Sequence, residues 1–310
     1  MKSKNSNGGL SKEKAVEERW CFLMLAVPII GFLVLTIYPI LWTFRWGFYS
    51  YTGVEQDAVF VGLQNFKALF TTDTTYWKAW LTTLQFAILK VPAELILAMI
   101  LALILSRKIK GSNFFRSMFY LPNVISIVII GLIFSNMFGF FGIINGFLQR
   151  LGIIEQGVEW FANKNTAMTV VVLGSIWNTF GINVMYFMAA LTNVPEEMYE
   201  CAALDGATGF TKFFRITLPL ILPVSRIVLL MSIVGTLGIN EYIITLTNGA
   251  PGGMTHTVMS YQTTQFVPGF TQSIQPALGY GSAMSLITSV IFCLVAVGYN
   301  AINKKISNIY

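Results

Sequence analysis

The chain has 310 residues, of which 55% are hydrophobic and 11% are charged, whereas a soluble globular domain carries about 25% charged residues. This composition excludes an ordinary soluble protein and predicts a polytopic membrane protein. The formal net charge of +6 is explained by basic residues that flank membrane spans, so it predicts contact with membrane lipid and no nucleic-acid partner.

Uncharged stretches predict the membrane spans. Residues 20–44, 117–149 and 165–195 contain no charged residue, and each stretch is long enough for a helix of ~20 residues across a ~30 Å hydrocarbon core. Because such runs are too long for barrel strands, the predicted fold class is all-α. The sequence predicts a cytoplasmic tail at 1–19, a transmembrane domain at 20–305, and six spans at about 20–44, 80–105, 117–138, 168–193, 222–246 and 282–303.

The distribution of positive charge predicts the orientation of these spans. With a cytoplasmic N-terminus, 14 of the 20 Lys and Arg residues lie on the cytoplasmic side and five lie outside, while Lys90 falls within the second span. Cytoplasmic loops carry an excess of Lys and Arg. We therefore expect both termini to be cytoplasmic, in a multi-pass protein of the bacterial cell membrane.

The second predicted span contains Lys90 and Glu94, one helical turn apart. A charged residue inside a bilayer is energetically costly and is a functional candidate by default. Opposite charges at positions i and i+4 are equally typical of a structural pair. Both interpretations stay open at the level of the sequence.

Polar residues in the fourth and fifth predicted spans are candidates for a solute pathway. In the fifth span Ser232, Thr236 and Asn240 are four residues apart and share one helical face, with Glu241 beside them. Ser, Thr and Asn also hold membrane helices together by hydrogen bonds, so a structural role stays open. Neutral hydroxyl and amide groups suit a neutral polyhydroxylated solute such as a sugar. The fourth-span candidates are Asn178, Thr179, Asn183 and Tyr186.

The segment 196–218 lies between two predicted spans and is too polar to enter lipid. Acidic residues follow Pro195 at its start, and Gly206 provides a helix stop with positive φ. A second short helix with Lys212 is predicted to end before Pro219. Two short helices joined by a glycine turn would form a rigid bracket at the membrane surface.

The sequence patterns of catalysis and metal binding are not found in this chain. Cys21, Cys201 and Cys293 have no C-x-x-C spacing, and His256 has no nearby set of ligands, which predicts a solvated side chain. No Walker A sequence occurs. We therefore expect no enzyme, no catalytic or metal-binding residue and no cofactor bound by this chain, so that any ATP would be bound by another subunit.

The order Glu200-Cys201-Ala202-Ala203, with Gly206 three residues later, resembles the EAA loop of permease subunits in ABC importers. Cys201 replaces the first Ala of that motif, which exchanges one small residue for another. Further segments that resemble the sugar-importer branch of this family are Val61–Phe66, Arg116–Pro122 and Thr247–Gly253.

The resemblance implies a permease subunit of a carbohydrate-type ABC importer with six transmembrane helices. It implies a second permease subunit as heterodimer partner, two ATPase subunits that bind ATP and Mg²⁺, and an extracytoplasmic substrate-binding protein. It also implies that the segment 196–218 couples to the ATPases, with Glu200 and Asp205 orienting it and Gly206 forming its turn. The implied packing surface consists of Met198, Tyr199, Ala202 and Ala203.

An ion-coupled secondary transporter of a small polar solute is the alternative. Such transporters place carboxylates at mid-membrane and usually show an internal repeat. Glu94 and Glu241 are the candidate carboxylates, but the two halves of the chain show no convincing repeat. The sequence therefore favours the importer permease.

Overall fold

Helices form most of the regular structure in the computed structural model, which describes residues 7–107, 110–267 and 275–307. The helices are α1 Asn7–Phe32, α2 Tyr38–Trp46, α3 Gln64–Thr71, α4 Thr74–Leu105, α5 Ser112–Val124, α6 Ile127–Met137, α7 Ile143–Arg150, α8 Lys164–Thr192, α9 Glu196–Leu204, α10 Gly209–Lys212, α11 Leu218–Leu237, α12 Glu241–Leu246, α13 Val258–Phe266 and α14 Leu278–Ser307. The strands β1 Tyr49–Ser50 and β2 Val59–Phe60 form one short antiparallel pair.

The described residues group into two compact units. The smaller unit contains those up to Lys67 together with Ala277–Leu286, and the larger unit contains those of Ala68–Pro276 and Ile287–Tyr310. The candidate site described below lies entirely within the larger unit.

In the smaller unit, a cationic and aromatic cluster marks the end of the first membrane run. The guanidinium of Arg45 lies 5.1 Å from the ring centroid of Trp42 and 5.2 Å from that of Trp46. Tyr51 stacks on Trp46 with 4.0 Å between ring centroids. Cation–π contacts of this kind are typical where aromatic side chains anchor a helix at the edge of the bilayer.

Five helical runs are long and apolar enough to cross a membrane, and a sixth is obtained if the bent pair α5–α6 is counted as one span. Within the tail predicted at 1–19, the described residues from Asn7 are helical and α1 continues without a break into the first run; the cytoplasmic location of this tail stays a prediction. Residues 1–6 of that tail lie outside the described residues. Numbered with the bent pair α5–α6 as the third, the runs are the first, Val16–Trp46, the second, Thr74–Leu105, the fourth, Lys164–Thr192, the fifth, Gly209–Leu237, and the sixth, Leu278–Lys305.

The third predicted span, 117–138, is not a straight helix. It breaks between α5 and α6 with a bend of 94°, and the backbone at Ile125 and Ser126 is extended, with ψ of 136° and 133°. The Pro122 carbonyl lies in the last turn of α5 and accepts a 3.3 Å hydrogen bond from the N–H of Ile125. It also accepts a 2.9 Å bond from the side-chain amide of Asn178 on α8, which satisfies a group at the end of α5.

The fifth predicted span, 222–246, is shifted towards the N-terminus at both of its ends. The helical run begins at Gly209 and ends at Leu237, and α12 is a separate helix. The backbone leaves the helix at Gly238, and Asn240 has φ −136° and ψ −73°, which no helix allows. The predicted bracket is therefore also wrong in part, because its second helix is the first turn of this run and not an independent helix.

Two π-helical segments accommodate prolines in the first and fifth runs. Leu33–Ile37 precedes Pro39, and Phe213–Thr217 precedes Pro219. The proline ring clashes with the carbonyl four residues earlier in a regular α-helix, and a wider turn relieves that clash. In the second segment the N–H of Leu218 donates to the carbonyl of Phe213, so the run continues without a break.

The core of the larger unit lies along α4 and α8, against which α5, α6, α11 and α12 pack. Phe86, Val171 and Tyr242 are buried in one hydrophobic cluster of this core. Close approach of helices needs glycine at one point, because a Cβ at Gly181 would overlap the backbone of Phe119 on α5. Small residues at such crossings let α8 act as the shared wall of the bundle.

Candidate functional site

The segment 196–218 contains a separate helix, α9, that ends in a Schellman motif. Gly206 has φ +74°, as its position in the sequence predicts. The N–H of Gly206 donates to the carbonyl of Ala203 at 3.1 Å, and the N–H of Ala207 donates to that of Ala202 at 2.9 Å. This pair of bonds requires positive φ at the residue after the C-cap, Asp205. Gly206 therefore fixes the angle at which the chain leaves α9.

The predicted coupling residues divide between an outward and an inward face of α9. Ala202 is buried within the chain, and the hydroxyl of Tyr199 shares a 2.9 Å hydrogen bond with that of Thr217. The carbonyl of Tyr199 also accepts a 3.2 Å bond from the ammonium of Lys212. These contacts clamp α9 to the start of the fifth run. The exposed coupling residues are Met198, Glu200, Ala203, Asp205 and Gly206.

A polar cavity of about 360 Å³ lies between α4, α8 and the end of α11. Its lining combines charged, amide, hydroxyl and apolar side chains, which suits a solute with both polar and apolar faces. The lining residues are Lys90, Glu94, Ile127, Ser175, Thr179, Ile182, Asn183, Tyr186, Met231, Ser232, Gly235, Gly238, Ile239, Asn240 and Glu241.

One edge of the polar cavity is a buried ion pair between Lys90 and Glu94, with 2.9 Å from Nζ to Oε2. The other oxygen, Oε1, accepts a 2.6 Å hydrogen bond from the Asn183 amide, and Oε2 accepts a 3.2 Å bond from the Ser232 hydroxyl. The Lys90 ammonium donates to the Thr236 hydroxyl at 3.1 Å. This network joins α4, α8 and α11, which supports the structural interpretation of the pair.

Six of the eight residues predicted for the solute path line the polar cavity, and two do not. The side-chain amide of Asn178 donates a hydrogen bond to the Pro122 carbonyl. Thr236 accepts from Lys90 and donates to the carbonyl of Ser232 at 2.6 Å. Both side chains therefore form hydrogen bonds between helices or within one helix. This is the structural role that the sequence left open for such residues. The six are Thr179, Asn183, Tyr186, Ser232, Asn240 and Glu241.

The predicted stripe on the fifth span is shorter than expected. Ser232 and Thr236 share a face of α11, but Asn240 lies beyond the end of the helix and Glu241 is the first residue of α12. Both nevertheless reach the polar cavity, because the chain turns there. The Oδ1 atom of Asn240 is buried and has no hydrogen-bond partner among the described residues.

Sequence reasoning missed Ser175 and the apolar part of the lining. The Ser175 hydroxyl is buried beside the cavity and, within the part of the chain that the structure describes, has no hydrogen-bond partner. A signal was available, because Ser175 is four residues before Thr179 and so lies on the same helical face. Gly235 and Gly238 also line the cavity, but glycine has no side chain whose polarity could indicate this in the sequence.

His256 is buried and not solvated, contrary to the expectation from the sequence. Its Nδ1 lies 3.1 Å from the Ser260 hydroxyl. Burial lowers the pKa of the imidazole below its ordinary value, because the charged form loses solvation. The side chain also fills the space above Gly249, where a Cβ would overlap it. His256 thus packs the turn at 247–257 and has a structural explanation.

The family model described as "Binding-protein-dependent transport system inner membrane component" matches residues 94–308. The chain belongs to this family. It is therefore a permease component of a membrane transport system, and the resemblance drawn from the EAA-like loop is confirmed. The matched range includes the segment 196–218, for which coupling to the ATPases is predicted, and most of the polar cavity.

Two relatives are similar over nearly the whole chain. An arabinooligosaccharide transport permease of Bacillus subtilis is 33% identical over 282 residues, which cover 89% of this chain and 85% of the relative. A lactose transport permease of Rhizobium radiobacter is 30% identical over 279 residues, which cover 90% of each chain.

A crystal structure of a bacterial ABC transporter for the import of alginate contains a similar chain. The TM-score is 0.80 at 23% identity, and the alignment covers 96% of this chain and 99% of that chain. At this identity the likeness concerns the fold alone. The predicted all-α fold of ABC-importer permeases is confirmed.

The ion pair provides a test of what holds the site together. In Glu94→Gln, the Lys90 ammonium stays buried without its counter-charge, so we expect a loss of about 3–5 kcal/mol of stability. Lys90→Met should destabilise similarly. The double variant Lys90→Met with Glu94→Gln removes both charges, and we expect most of the stability to return.

Thermal unfolding of the detergent-solubilised protein measures all three variants. Uptake of the solute by cells that carry the double variant reports whether the charges also serve transport. If the double variant is as unstable as the sum of the single variants, the two charges are not coupled and the network does not hold the helices.

Proposed function

We propose that this permease is the membrane-spanning subunit of an ATP-driven, binding-protein-dependent importer of a sugar or oligosaccharide. The observation that carries the proposal is the chemistry of the polar cavity. The charges of Lys90 and Glu94 neutralise each other, which leaves Glu241 as the charged group of the lining, and two polar groups of lining residues, the Ser175 hydroxyl and Asn240 Oδ1, have no hydrogen-bond partner among the described residues. A neutral solute with hydroxyl groups would pair with them when its water is removed. The names of the arabinooligosaccharide and lactose relatives support the same solute class.

The solute would pass along the cavity wall formed by α8 and the end of α11. Thr179, Asn183 and Tyr186 repeat at helical spacing on α8 and face the cavity. Asn183 also donates one of its two amide hydrogens to the Glu94 carboxylate, which leaves the second hydrogen and the amide oxygen for a solute. Hydroxyl donors of a sugar would pair with that oxygen.

The energy for transport would come from other subunits. We infer a heterodimer with a second permease, two ATPase subunits that bind ATP and Mg²⁺, and an extracytoplasmic substrate-binding protein, with no catalytic site on this chain. The exposed face of α9 is the surface that the ATPases would grip. ATP and the docked binding protein must favour the outward-facing state differentially, since no population shift occurs otherwise.

An ion-coupled secondary transporter would need a carboxylate that is free to bind the ion. Glu94 does not meet this requirement, because Lys90, Asn183 and Ser232 already occupy both its oxygens. Glu241 is exposed at the break between α11 and α12. Uptake that persists without ATP and follows an ion gradient would favour this alternative over the importer.

The first prediction concerns coupling through Gly206. Gly206→Val should fold, because no atom lies within 4 Å of a Cβ added there. A β-branched residue resists positive φ, however, so the angle of α9 should change. We expect ATP-dependent uptake and substrate-stimulated ATPase activity both to fall at least about tenfold, in line with a strain of one to several kcal/mol.

Gly206→Asn is the matched control, because Asn tolerates positive φ far better than Val. It should retain most of the uptake. Equal uptake by the Val and Asn variants would show that the conformation at Gly206 does not matter for transport, and full activity of both would remove this turn from the mechanism.

The second prediction concerns the solute path. Asn240→Leu removes an amide whose Oδ1 has no hydrogen-bond partner among the described residues. Assembly with the partner subunits should therefore be unaffected. Sugar hydroxyls left unpaired cost roughly 1–3 kcal/mol each, and we expect uptake to fall about tenfold or more. Asn136→Leu is the control, since that amide is exposed and bonds within its own helix.

Co-purification of the partner subunits, measured beside uptake, separates a pathway role from a structural one. Loss of assembly in Asn240→Leu would indicate interhelical bonding instead. Normal assembly with normal uptake would show that Asn240 contacts no solute.

The third prediction concerns orientation, for which we propose cytoplasmic termini and a cytoplasmic α9. A variant that keeps only Cys201, with Cys21 and Cys293 replaced by Ser, should react with an impermeant thiol reagent only after the cells are opened. A cysteine at Met254, which is exposed, should react in intact cells of a cysteine-free variant. Reaction of Cys201 in intact cells would reverse the proposed orientation.

A further inference from the structure

A basic pocket and an apolar groove meet beside the coupling segment. The pocket has a volume of about 560 Å³ and is lined by Arg107 after the end of α4, by Lys212 on α10 and by Glu196 at the start of α9. The groove has a volume of about 650 Å³ and follows α4 from Leu103 inward, towards the middle of the span. The two share Leu103, Gly209 and Phe213.

We propose that these two cavities together bind one anionic phospholipid of the leaflet on the side of α9, such as phosphatidylglycerol. The phosphate would sit in the basic pocket, and one acyl chain would lie in the groove. Basic pockets at the ends of membrane helices are the sites where anionic headgroups bind. The proposed orientation makes this the cytoplasmic leaflet, but the site itself does not depend on that orientation.

The charge of the pocket favours an anion. Arg107 and Lys212 contribute two positive charges, and Glu196 contributes one negative charge, so the lining carries one net positive charge. Arg107 is exposed and has no ion-pair partner within the described ranges. Its guanidinium is therefore available for a phosphate, which it can bind through two parallel hydrogen bonds. Lys212 spends one hydrogen on the Tyr199 carbonyl and keeps two.

The groove fits an acyl chain. Leu95, Met99 and Leu103 line it on α4, which gives it a length of about 12 Å along that helix. Phe210 and Phe214 line the opposite side and are 77% and 50% exposed in this chain. Aromatic side chains at the level of the headgroups are typical of lipid contact. Phe213 lies at the junction and touches both cavities.

A second groove on α4 is apolar throughout and serves as a comparison. It has about 670 Å³ between α4, α11 and α14 and is lined by residues such as Trp77, Leu84 and Val295, with no charged residue in its lining. This groove would accept any acyl chain. Selectivity for the headgroup can arise only where Arg107 and Lys212 adjoin the groove.

Such a lipid would contact both helices of the segment 196–218, α9 and α10. Lys212 and Phe213 lie in the first turns of the fifth run, Glu196 begins α9, and Arg107 follows α4. A bound anionic lipid would therefore tie the end of α4 to α9 and the fifth run, which are joined to each other through the Tyr199 contacts. We expect it to stabilise the resting geometry of the coupling segment.

The test measures retained lipid by native mass spectrometry of the full chain, purified in detergent with the subunits that accompany it, delipidated and then titrated. Phosphatidylglycerol should be retained about fivefold better than phosphatidylcholine of the same acyl chains, the difference expected for one cation near a membrane surface. Arg107→Gln should remove that preference. Arg215→Gln is the matched control, since Arg215 is basic and lies three residues after Lys212 on the fifth run but lines neither cavity, and it should keep the preference.

Gly209→Leu tests the groove, because its side chain would enter the junction and no atom lies within 4 Å of the added Cβ. It should lower retention of both lipids. Soluble glycerol 3-phosphate that competes as well as the lipid would overturn the proposal in favour of a free phosphate site. Equal retention of both lipids by the unaltered protein, an equal loss in Arg107→Gln and Arg215→Gln, or cross-linking of a cysteine at Phe214 to another subunit would also overturn it.

Discussion

A charge pair inside a membrane bundle is stable only if every one of its polar atoms finds a partner, and this constraint organises the larger unit. Glu94 is fully buried and Lys90 nearly so. The Glu94 carboxylate accepts hydrogen bonds from Asn183 on α8 and Ser232 on α11, and it pairs with the Lys90 ammonium. Isolated charges in a low-dielectric medium are strongly unfavourable, and removal of one partner destabilises more than replacement of both. The three helices are thus held at one fixed spacing where the polar cavity begins.

The same network determines what the cavity offers to a solute. Because the two charges cancel and the Ser232 and Thr236 hydroxyls turn towards them, the remaining polar groups of the lining are mostly neutral. Glu241 is the exception and lies at the exposed end. The groups that hold the helices together and the groups that line the cavity are therefore neighbours on the same helices, and in Asn183 they belong to the same residue.

Local features were predictable from the sequence, and long-range ones were not. The positive φ of Gly206 follows from its place after an acidic, alanine-rich helix, and the apolar runs indicate the membrane helices. The break after Val124 depends on Asn178, which is 56 residues further along the chain and supplies the bond that makes the bend tolerable. The end of α11 falls at Gly238, which a hydropathy pattern cannot distinguish from a glycine inside a helix such as Gly235. Ser175 shows a third case, since its helical spacing was readable but only the fold places it beside a cavity.

The π-helical segment Phe213–Thr217 sets the rotational phase of everything that follows it in the fifth run. A π turn holds one residue more than an α turn, and each residue of a helix turns the side-chain direction by about 100°. With Lys212 directed at the Tyr199 carbonyl and Ser232 at Glu94, a regular α-helix between them would be out of register by roughly one such step. Deletion of one residue within this segment would convert it to a regular α-helix and leave both ends in phase, whereas deletion of one residue between Thr217 and Ser232 would rotate Ser232 and Thr236 away from α4 while leaving the composition and hydropathy of the span almost unchanged. The rotational phase of the fifth run must therefore be maintained if Lys212 is to reach Tyr199 at one end and Ser232 is to reach Glu94 at the other. No measure of apolarity records this phase.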